Sequence, residues 1–344
     1  MCEGIVPKVN AIALAVPPPS LVPRPLPRYT ATMTNTIKGR SLLTWLDWTA
    51  GEIRRLLEIS GGLKTGGGGR RFDGMTLALL FEKRSTRTRC AFETAFGEEG
   101  GHPVFLAADD IQLGAKETVE DTARVLGRMF SAIQFRGFSH ETAEKLAEHS
   151  GVPVYNGLTD SFHPTQALAD IMTLEENFGE CRSRSLCYVG DGRNNVANSL
   201  LVICAKLGVN FTVVAPPELS PDAKLLQKCR EFASVSGAAI TVTPDTAALA
   251  GADAVYTDVW TSMGEESRKA EREKLLSPYR VNEKLMSMTG RADSIFLHCL
   301  PAVRGEEVTA EVLDGRQSRV WDQAENRKHT IKAVMLATLT DLQL

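Results

Sequence analysis

The chain has 344 residues, of which 43% are hydrophobic and 24% are charged, and its formal net charge is -3. This length is sufficient for two domains, and the composition is typical of a globular protein. The weak negative charge argues against nucleic acid as a partner, and no apolar run reaches the ~20 residues that span a membrane. Seven cysteines without a CxxC pair indicate a reducing compartment without structural disulfides.

Residues 1–36 differ in composition from the rest of the chain. They contain Pro17-Pro18-Pro19 and a single acidic residue, Glu3. Prolines oppose both regular helices and paired strands, so we expect a disordered extension here. The scarcity of acidic residues is also a feature of transit peptides, but an Arg-rich amphipathic helix is missing. We therefore predict a cytoplasmic protein, with the mitochondrial matrix as the alternative if this extension is a transit peptide.

Short apolar runs alternate with longer amphipathic stretches from about residue 42 onward. This alternation predicts an α/β fold in which helices cover both faces of parallel sheets, and two sheets fit the length better than one. A helix is predicted over Pro164–Phe178, with the domain boundary directly after it at residues 178/179. The predicted strands are residues 76–81, 103–106, 132–135, 152–155, 186–189, 210–214, 239–242, 254–257 and 295–297.

Ligands of open parallel sheets bind beyond the carboxyl ends of the strands, so polar motifs that follow apolar runs are the candidate sites. The motif Ser85-Thr86-Arg87-Thr88-Arg89 follows the strand at 76–81 and opens an amphipathic segment. Free N–H groups at a helix N-terminus, together with arginines and hydroxyls, would form a phosphate cradle. The alternative is a basic helix start that only contacts solvent. The strand directly before the motif and the hydroxyls between its arginines favour anion binding instead.

A second motif, His163-Pro164-Thr165-Gln166, precedes the predicted interdomain helix. His163 and Gln166 can donate hydrogen bonds to a carbonyl oxygen, as the stabilisation of an oxyanion in acyl transfer requires. The alternative is an ordinary helix start with proline at its first position.

Two motifs of the second domain point to an amino acid as ligand. Gly190-Asp191-Gly192-Arg193-Asn194-Asn195 is similar to a dinucleotide fingerprint, but Asn195 replaces the third glycine and no acidic residue ends the next strand. These departures argue against a nicotinamide-dependent dehydrogenase, and the asparagines could bind a carboxylate or an amine instead. Asp258 at a strand end can pair with an ammonium group, or alternatively cap a helix.

The run His298-Cys299-Leu300-Pro301 also follows an apolar strand. Neighbouring strand side chains point to opposite faces, so this dipeptide does not support a thiolate–imidazole pair, and a buried structural cysteine is the alternative. No other Cys/His spacing matches a zinc site, and we expect neither a metal nor an organic cofactor. Arg327, in the segment that opens the last helix, could bind an anion or lie at the surface.

Together these motifs resemble the aspartate/ornithine carbamoyltransferase family, from about residue 37 to the C-terminus. The motifs at 85–89 and 163–166, with Phe135-Arg136-Gly137, resemble the family's carbamoyl-phosphate motifs. Asp258 with Ser262-Met263-Gly264, and the run at 298–301, resemble its ornithine branch. The resemblance implies a carbamoyl-phosphate domain at 37–178, an ornithine domain at 179–324, a C-terminal helix at 325–344 that crosses back to the first domain, and a homotrimer.

The resemblance also implies the role of each residue in a direct transfer of the carbamoyl group to the δ-amine of ornithine. A sister activity on putrescine or acetylornithine, or a noncatalytic binding protein on the same fold, is the alternative. Ornithine would be bound by Asn195, Asp258, Ser262 and Met263, and the catalytic residues would be Arg136, His163, Gln166, Asp258 and Cys299. Carbamoyl phosphate would be bound by Ser85, Thr86, Arg87, Thr88, Arg89, Arg136, His163, Pro164, Thr165, Gln166, Cys299, Leu300 and Arg327, with Gln112 reaching a neighbouring subunit's site.

Overall fold

The structure is a computed structural model, and it describes Met1 and residues 37–66, 69–107, 117–261 and 266–342. The predicted disordered extension therefore lies outside the described residues, apart from Met1. Within the described part of the chain, no helix is long and apolar enough to cross a membrane.

The described residues form nine β-strands and eleven α-helices. The strands are β1 (Thr76–Phe81), β2 (His102–Ala107), β3 (Ala132–Arg136), β4 (Val154–Leu158), β5 (Ser185–Val189), β6 (Asn210–Val214), β7 (Ile240–Thr243), β8 (Ala254–Thr257) and β9 (Ile295–His298). The helices are α1 (Ala50–Gly66), α2 (Thr86–Gly97), α3 (Val119–Met129), α4 (His140–Ser150), α5 (Pro164–Phe178), α6 (Asn195–Leu207), α7 (Ala223–Ser236), α8 (Lys269–Leu276), α9 (Glu283–Ser287), α10 (Ala310–Leu313) and α11 (Val320–Leu339).

The first sheet has the strand order β2-β1-β3-β4, and every neighbouring pair in it is parallel. All residues of β1 after Thr76 are buried. Their apolar sequence is uninterrupted because a parallel sheet is covered on both faces. The chain order reverses beside β1, which has β2 on one side and β3 on the other. A crevice therefore opens beyond the carboxyl ends of β1 and β3.

The second sheet has the order β7-β6-β5-β8-β9 and is also entirely parallel. Its order reverses beside β5, so the corresponding crevice lies beyond the carboxyl ends of β5 and β8. The predicted fold class, two parallel sheets with helices, is confirmed. The sequence motifs at 190–195 and at Asp258 follow β5 and β8, and therefore lie at this reversal.

Strand β4 begins two residues later than the sequence pattern indicates. Pro153 has no N–H and cannot donate to the ladder, although its carbonyl oxygen accepts a hydrogen bond from the N–H of Ile133 at 2.9 Å. The N–H of Val154 donates to the Ser41 hydroxyl at 2.9 Å. The apolar pattern across 152–155 thus marks the strand correctly, but proline chemistry moves its first paired residue to Val154.

The C-terminal helix α11 begins at Val320, earlier than the predicted residue 325, and it packs against α1, α2 and α5. Val320 is fully buried, and Asp322 in the first turn carries a charge that suits the helix dipole. Lys332 fixes the position of α11 along α2. It is 1% exposed, and its Nζ lies 2.6 Å from Glu98 and 3.7 Å from Glu99. The helix therefore crosses back to the first sheet.

Replacing Lys332 with methionine is expected to destabilise the fold by about 3 kcal/mol, because it leaves the buried carboxylate of Glu99 with one partner fewer. The matched control is Lys328→Met, since Lys328 also pairs with Glu98, at 3.0 Å, but its side chain is 30% exposed. The control should cost under about 1 kcal/mol. Urea unfolding measures both values, and equal losses would contradict the proposed role of Lys332.

Candidate active site

The N-terminus of α2 opens at the carboxyl end of β1. The Ser85 hydroxyl caps the helix and accepts a hydrogen bond from the N–H of Thr88 at 3.2 Å. Thr86 occupies the first helical position with an exposed side chain. The serine three residues before Thr88 is thus a helix cap, and the free N–H groups of the first turn face the crevice beyond β1.

Thr88 joins two arginines that come from different elements. Its Oγ1 accepts a hydrogen bond from Arg136 Nη1, at the end of β3, at 3.3 Å, and one from Arg327 Nη2, on α11, at 3.1 Å. Arg327 Nη2 also donates to Thr165 Oγ1 at 3.3 Å. Only 2% of Arg327 is exposed, so the structure excludes the alternative that Arg327 is a surface residue.

The arginines concentrate positive charge in the interior. Burial lowers the pKa of Arg136 to about 9, and the neighbouring charge of Arg327 acts in the same direction. Burial also lowers the pKa of Arg327 to about 10, and it lowers the pKa of Arg87. All three guanidinium groups remain charged at neutral pH. The Nε atoms of Arg136 and Arg327 have no hydrogen-bond partner in the part of the chain that the structure describes. The cluster therefore fits an anion of high charge.

His163 lies beside this cluster, at the cap position of α5, with 3% of the residue exposed. Its backbone N–H donates to the Ser199 hydroxyl of α6 at 2.7 Å. Burial and the charges of the three arginines lower the pKa of its imidazole well below the usual value, so the ring is neutral at pH 7. Nδ1 lies 3.4 Å from Thr165 Oγ1. A proton from this hydroxyl would leave Nε2 as the imidazole donor.

Asp258 follows β8 and faces the same crevice from the second sheet. Its Oδ1 accepts hydrogen bonds from Val259 N–H at 2.8 Å and from the Cys299 thiol at 3.0 Å. Its Oδ2 accepts one from Asn194 Nδ2 at 2.9 Å. Residues 259–261 are not helical, so Asp258 does not cap a helix there. These three donors hold the carboxylate, and one acceptor position of its two oxygens has no donor among the residues that the structure describes.

Cys299 and His298 turn to different partners, as alternation along a strand requires. Burial, and then the charge of Asp258, raise the pKa of the Cys299 thiol well above its usual value, so the thiol keeps its proton. His298 Nδ1 accepts a hydrogen bond from Leu300 N–H at 2.8 Å, and its Nε2 lies 3.2 Å from Glu307.

The side chains of Asp258, His298 and Cys299 also bring three possible metal-ligand atoms within 4.8 Å of one another. Both ring nitrogens of His298 are already engaged, Nδ1 by the Leu300 N–H and Nε2 by Glu307. Zinc is bound by the thiolate and by a free imidazole nitrogen. The donor set therefore does not fit a metal ion.

The structure does not bring every residue of the predicted set to this crevice. Arg89 extends away from it, with Nε 2.9 Å from Glu93 and its guanidinium 3.7 Å from the centre of the Phe105 ring. The Pro164 carbonyl group accepts a hydrogen bond from Trp45 Nε1 at 2.9 Å, which is a contact within the protein interior. Three predicted residues lie outside the described residues: Gln112, Ser262 and Met263.

The asparagine pair after β5 divides its contacts differently from the sequence interpretation. Asn195 Nδ2 donates to the carbonyl of Thr159 at 2.7 Å, in the loop after β4. Asn194, which the resemblance did not include among the ornithine-binding residues, is the residue that contacts Asp258, and its own Oδ1 caps α6 by accepting from Val196 N–H at 2.7 Å. The signal for Asn194 was present in the sequence, because asparagine is a preferred helix cap.

The two halves of the site face one another. The charge of Asp258, from the second sheet, opposes the effect of burial, which lowers the pKa of Arg87 and of Arg136 from the first sheet. The hydrogen bonds of Asn195 to Thr159 and of His163 to Ser199 hold α6 against the loop that precedes α5. The crevice therefore has a cationic wall on one side and a carboxylate on the other.

Comparison with known proteins identifies this architecture. A family model described as the aspartate/ornithine carbamoyltransferase carbamoyl-P binding domain matches residues 40–176, and one described as the Asp/Orn binding domain matches residues 182–338. The ornithine carbamoyltransferases of Caldanaerobacter subterraneus subsp. tengcongensis and of Thermotoga maritima are each 62% identical over 312 residues, which cover 89% of this chain and 100% of theirs.

Solved structures agree with the sequence relatives. The ornithine carbamoyltransferase from Pyrococcus furiosus has a TM-score of 0.86 at 45% identity, covering 89% of this chain and 99% of that one. The one from Gloeobacter violaceus has a TM-score of 0.80 at 41% identity, covering 88% and 99%. The fold, the crevice and these matches together establish that the chain belongs to the aspartate/ornithine carbamoyltransferase family.

Proposed function

We propose that the chain transfers the carbamoyl group of carbamoyl phosphate to the δ-amine of ornithine, which gives citrulline and phosphate. The observation that carries this proposal is the convergence of two buried arginines, Arg136 and Arg327, and the half-buried Arg87 opposite a fixed carboxylate. The arginines suit the phosphate dianion, and Asp258 suits the ammonium of an amino acid. The names of the chain's relatives support the same donor and acceptor.

The phosphate is held, in this proposal, at the N-terminus of α2. Ser85, Thr86, Arg87 and Thr88 supply backbone N–H groups, hydroxyls and a guanidinium, and Arg136 and Arg327 neutralise the remaining charge. These cations stabilise the charge that develops on the phosphate as it leaves. The side chain of Arg89 takes no part, because it lies on Phe105 and Glu93.

The carbamoyl group then lies between His163 and Cys299. The neutral His163 ring donates a hydrogen bond to the carbamoyl oxygen, which becomes more negative when the carbon is attacked. Thr165 holds that ring in place, and Gln166, Cys299 and the Leu300 carbonyl lie near the carbamoyl nitrogen.

Ornithine binds by its α-ammonium to the unused acceptor position of Asp258, and by its carboxylate to Asn195 and the Ser262-Met263 segment. The δ-amine, once deprotonated, attacks the carbamoyl carbon directly. A C–N bond forms, the C–O bond to phosphate breaks, and the departing phosphate takes up the proton that the attacking nitrogen loses, so that it leaves as hydrogen phosphate. Alignment of two bound substrates supplies much of the acceleration in such a reaction.

We extend the proposal to the organisation of the protein. Residues 37–178 with the C-terminal helix form the carbamoyl-phosphate domain, and residues 179–324 form the ornithine domain. By the family resemblance the enzyme is a homotrimer in which Gln112 reaches a neighbouring site. The six described cysteines are free, which supports a reducing compartment such as the cytoplasm.

Arg87→Ala should lower kcat/KM for carbamoyl phosphate by at least about a hundredfold, because a cation on the leaving phosphate is removed. Arg89→Ala is the matched control, since it removes an arginine from the same helix that faces Phe105 instead. The control should stay within about twofold of the wild type. Steady-state kinetics measure both variants, and an equally large loss in Arg89→Ala would place the phosphate elsewhere.

Asp258→Asn should raise KM for ornithine by about a hundredfold, because the charged partner of the α-ammonium disappears. The dissociation constant for carbamoyl phosphate should change by less than about threefold, since that ligand binds at the opposite wall. Kinetics with varied ornithine and direct binding of carbamoyl phosphate separate the two effects. Loss of carbamoyl-phosphate binding with an unchanged KM for ornithine would contradict the assignment of Asp258.

A further inference from the structure

A buried carboxylate that the proposed reaction does not use lies directly behind the site. Asp170 is on α5, one turn after Gln166, and 1% of the residue is exposed. A carboxylate in the interior requires hydrogen bonds to offset its loss of water. Those of Asp170 come from two carboxamides on different elements, Gln166 on α5 and Gln323 on α11.

The backbone of β9 fixes the orientation of the Gln323 carboxamide. The N–H of His298 donates to Gln323 Oε1 at 2.9 Å. Because a backbone N–H can only donate, Gln323 must present its oxygen to β9 and its NH2 group to the other side. That NH2 group lies 2.6 Å from Asp170 Oδ1 and 3.2 Å from the Tyr256 hydroxyl oxygen. The Oδ1 atom of Asp170 is therefore an acceptor.

The same oxygen, Asp170 Oδ1, orients the Gln166 carboxamide. Gln166 Nε2 donates to Asp170 Oδ1 at 2.8 Å, so the NH2 group of Gln166 also points toward Asp170. Its oxygen, Oε1, is buried and has no hydrogen-bond partner among the residues that the structure describes. A buried carbonyl oxygen without a donor loses the hydrogen bonds that water would give it, so this atom is suited to a ligand N–H.

We propose that Asp170 is a positioning residue, which holds the Gln166 carboxamide so that its oxygen accepts a hydrogen bond from the carbamoyl NH2 group. The inference rests on the proposed function, because that function supplies the carbamoyl ligand. It assigns Gln166 the opposite polarity to the sequence interpretation, in which Gln166 donates to the carbamoyl oxygen. Hydrogen bonds through Asp170 and Gln323 also connect Gln166 to His298, the last residue of β9. Cys299 directly follows His298 in the chain.

An acceptor oxygen, and not a negative charge, is what the arrangement requires. Burial raises the pKa of Asp170 to about 7, while the hydrogen bonds from Gln323 and Gln166 and the charge of Arg327 act in the opposite direction. A protonated carboxyl group still offers its carbonyl oxygen to both NH2 groups. Asparagine offers the same oxygen in the same place, whereas leucine, of similar size, offers none.

Acetyl phosphate is the probe that isolates this contact, because a methyl group replaces the carbamoyl NH2 and cannot donate. The test is to measure the dissociation constants of carbamoyl phosphate and of acetyl phosphate for the full chain by calorimetry. Asp170→Leu should weaken carbamoyl phosphate by about tenfold or more and acetyl phosphate by less than about threefold. Asp170→Asn should leave both constants within about threefold of the wild type.

Equal weakening of the two ligands in Asp170→Leu would overturn the inference, since a general structural loss acts on both. So would a loss in Asp170→Asn as large as that in Asp170→Leu. If Asp170→Leu fails to fold, Gln166→Leu tests the contact between Gln166 and the carbamoyl NH2 group directly. The preference for carbamoyl over acetyl phosphate should fall by about tenfold, and a retained preference would refute this contact. A wild-type chain that does not bind carbamoyl phosphate would refute the proposed function itself.

Discussion

The site depends on three neighbouring positive charges, of which those of Arg136 and Arg327 are buried beside Thr88. Arg87, Arg136 and Arg327 come from α2, β3 and α11 respectively, so the cluster exists only when the first sheet and the last helix are both in place. Like charges repel more strongly in a poorly screened interior than in water. This repulsion lowers the stability of the fold, and a dianion bound at the cluster would offset it.

The opposite wall is built in a different way. Asp258 is a single carboxylate whose position is fixed by donors from three segments, Asn194, Val259 and Cys299. In the proposed reaction, the cationic wall would bind the phosphate and the Asp258 carboxylate would bind the ammonium group of the second substrate, on opposite sides of one crevice. A protonated thiol at Cys299 is consistent with direct attack of one substrate on the other, because a covalent route needs a thiolate.

Local patterns in the sequence predicted the strands well, because each is a short apolar run and β1, β6 and β8 begin and end at the predicted residues. Contacts between elements that are distant in the sequence could not be predicted from these local patterns. The local pattern left Arg327 open between an anion ligand and a surface residue, and only the family resemblance assigned it, since its burial depends on α11 crossing back to Thr88. The different fate of Arg89 was predictable in principle: residues two apart on a helix point about 200° apart, so Arg87 and Arg89 cannot face one ligand. The choice between Asn194 and Asn195 required the helix start to be known.

The most direct measurement of the central claim is the initial rate of carbamoyl transfer from carbamoyl phosphate to ornithine, acetylornithine, putrescine and aspartate in parallel. Buried polar groups reject ligands that leave them unpaired, so kcat/KM for ornithine should exceed that for each other amine by at least about a hundredfold. Equal use of putrescine or aspartate would contradict the account of Asp258 and the second domain. Binding of carbamoyl phosphate without transfer to any of the four amines would instead identify a noncatalytic binding protein.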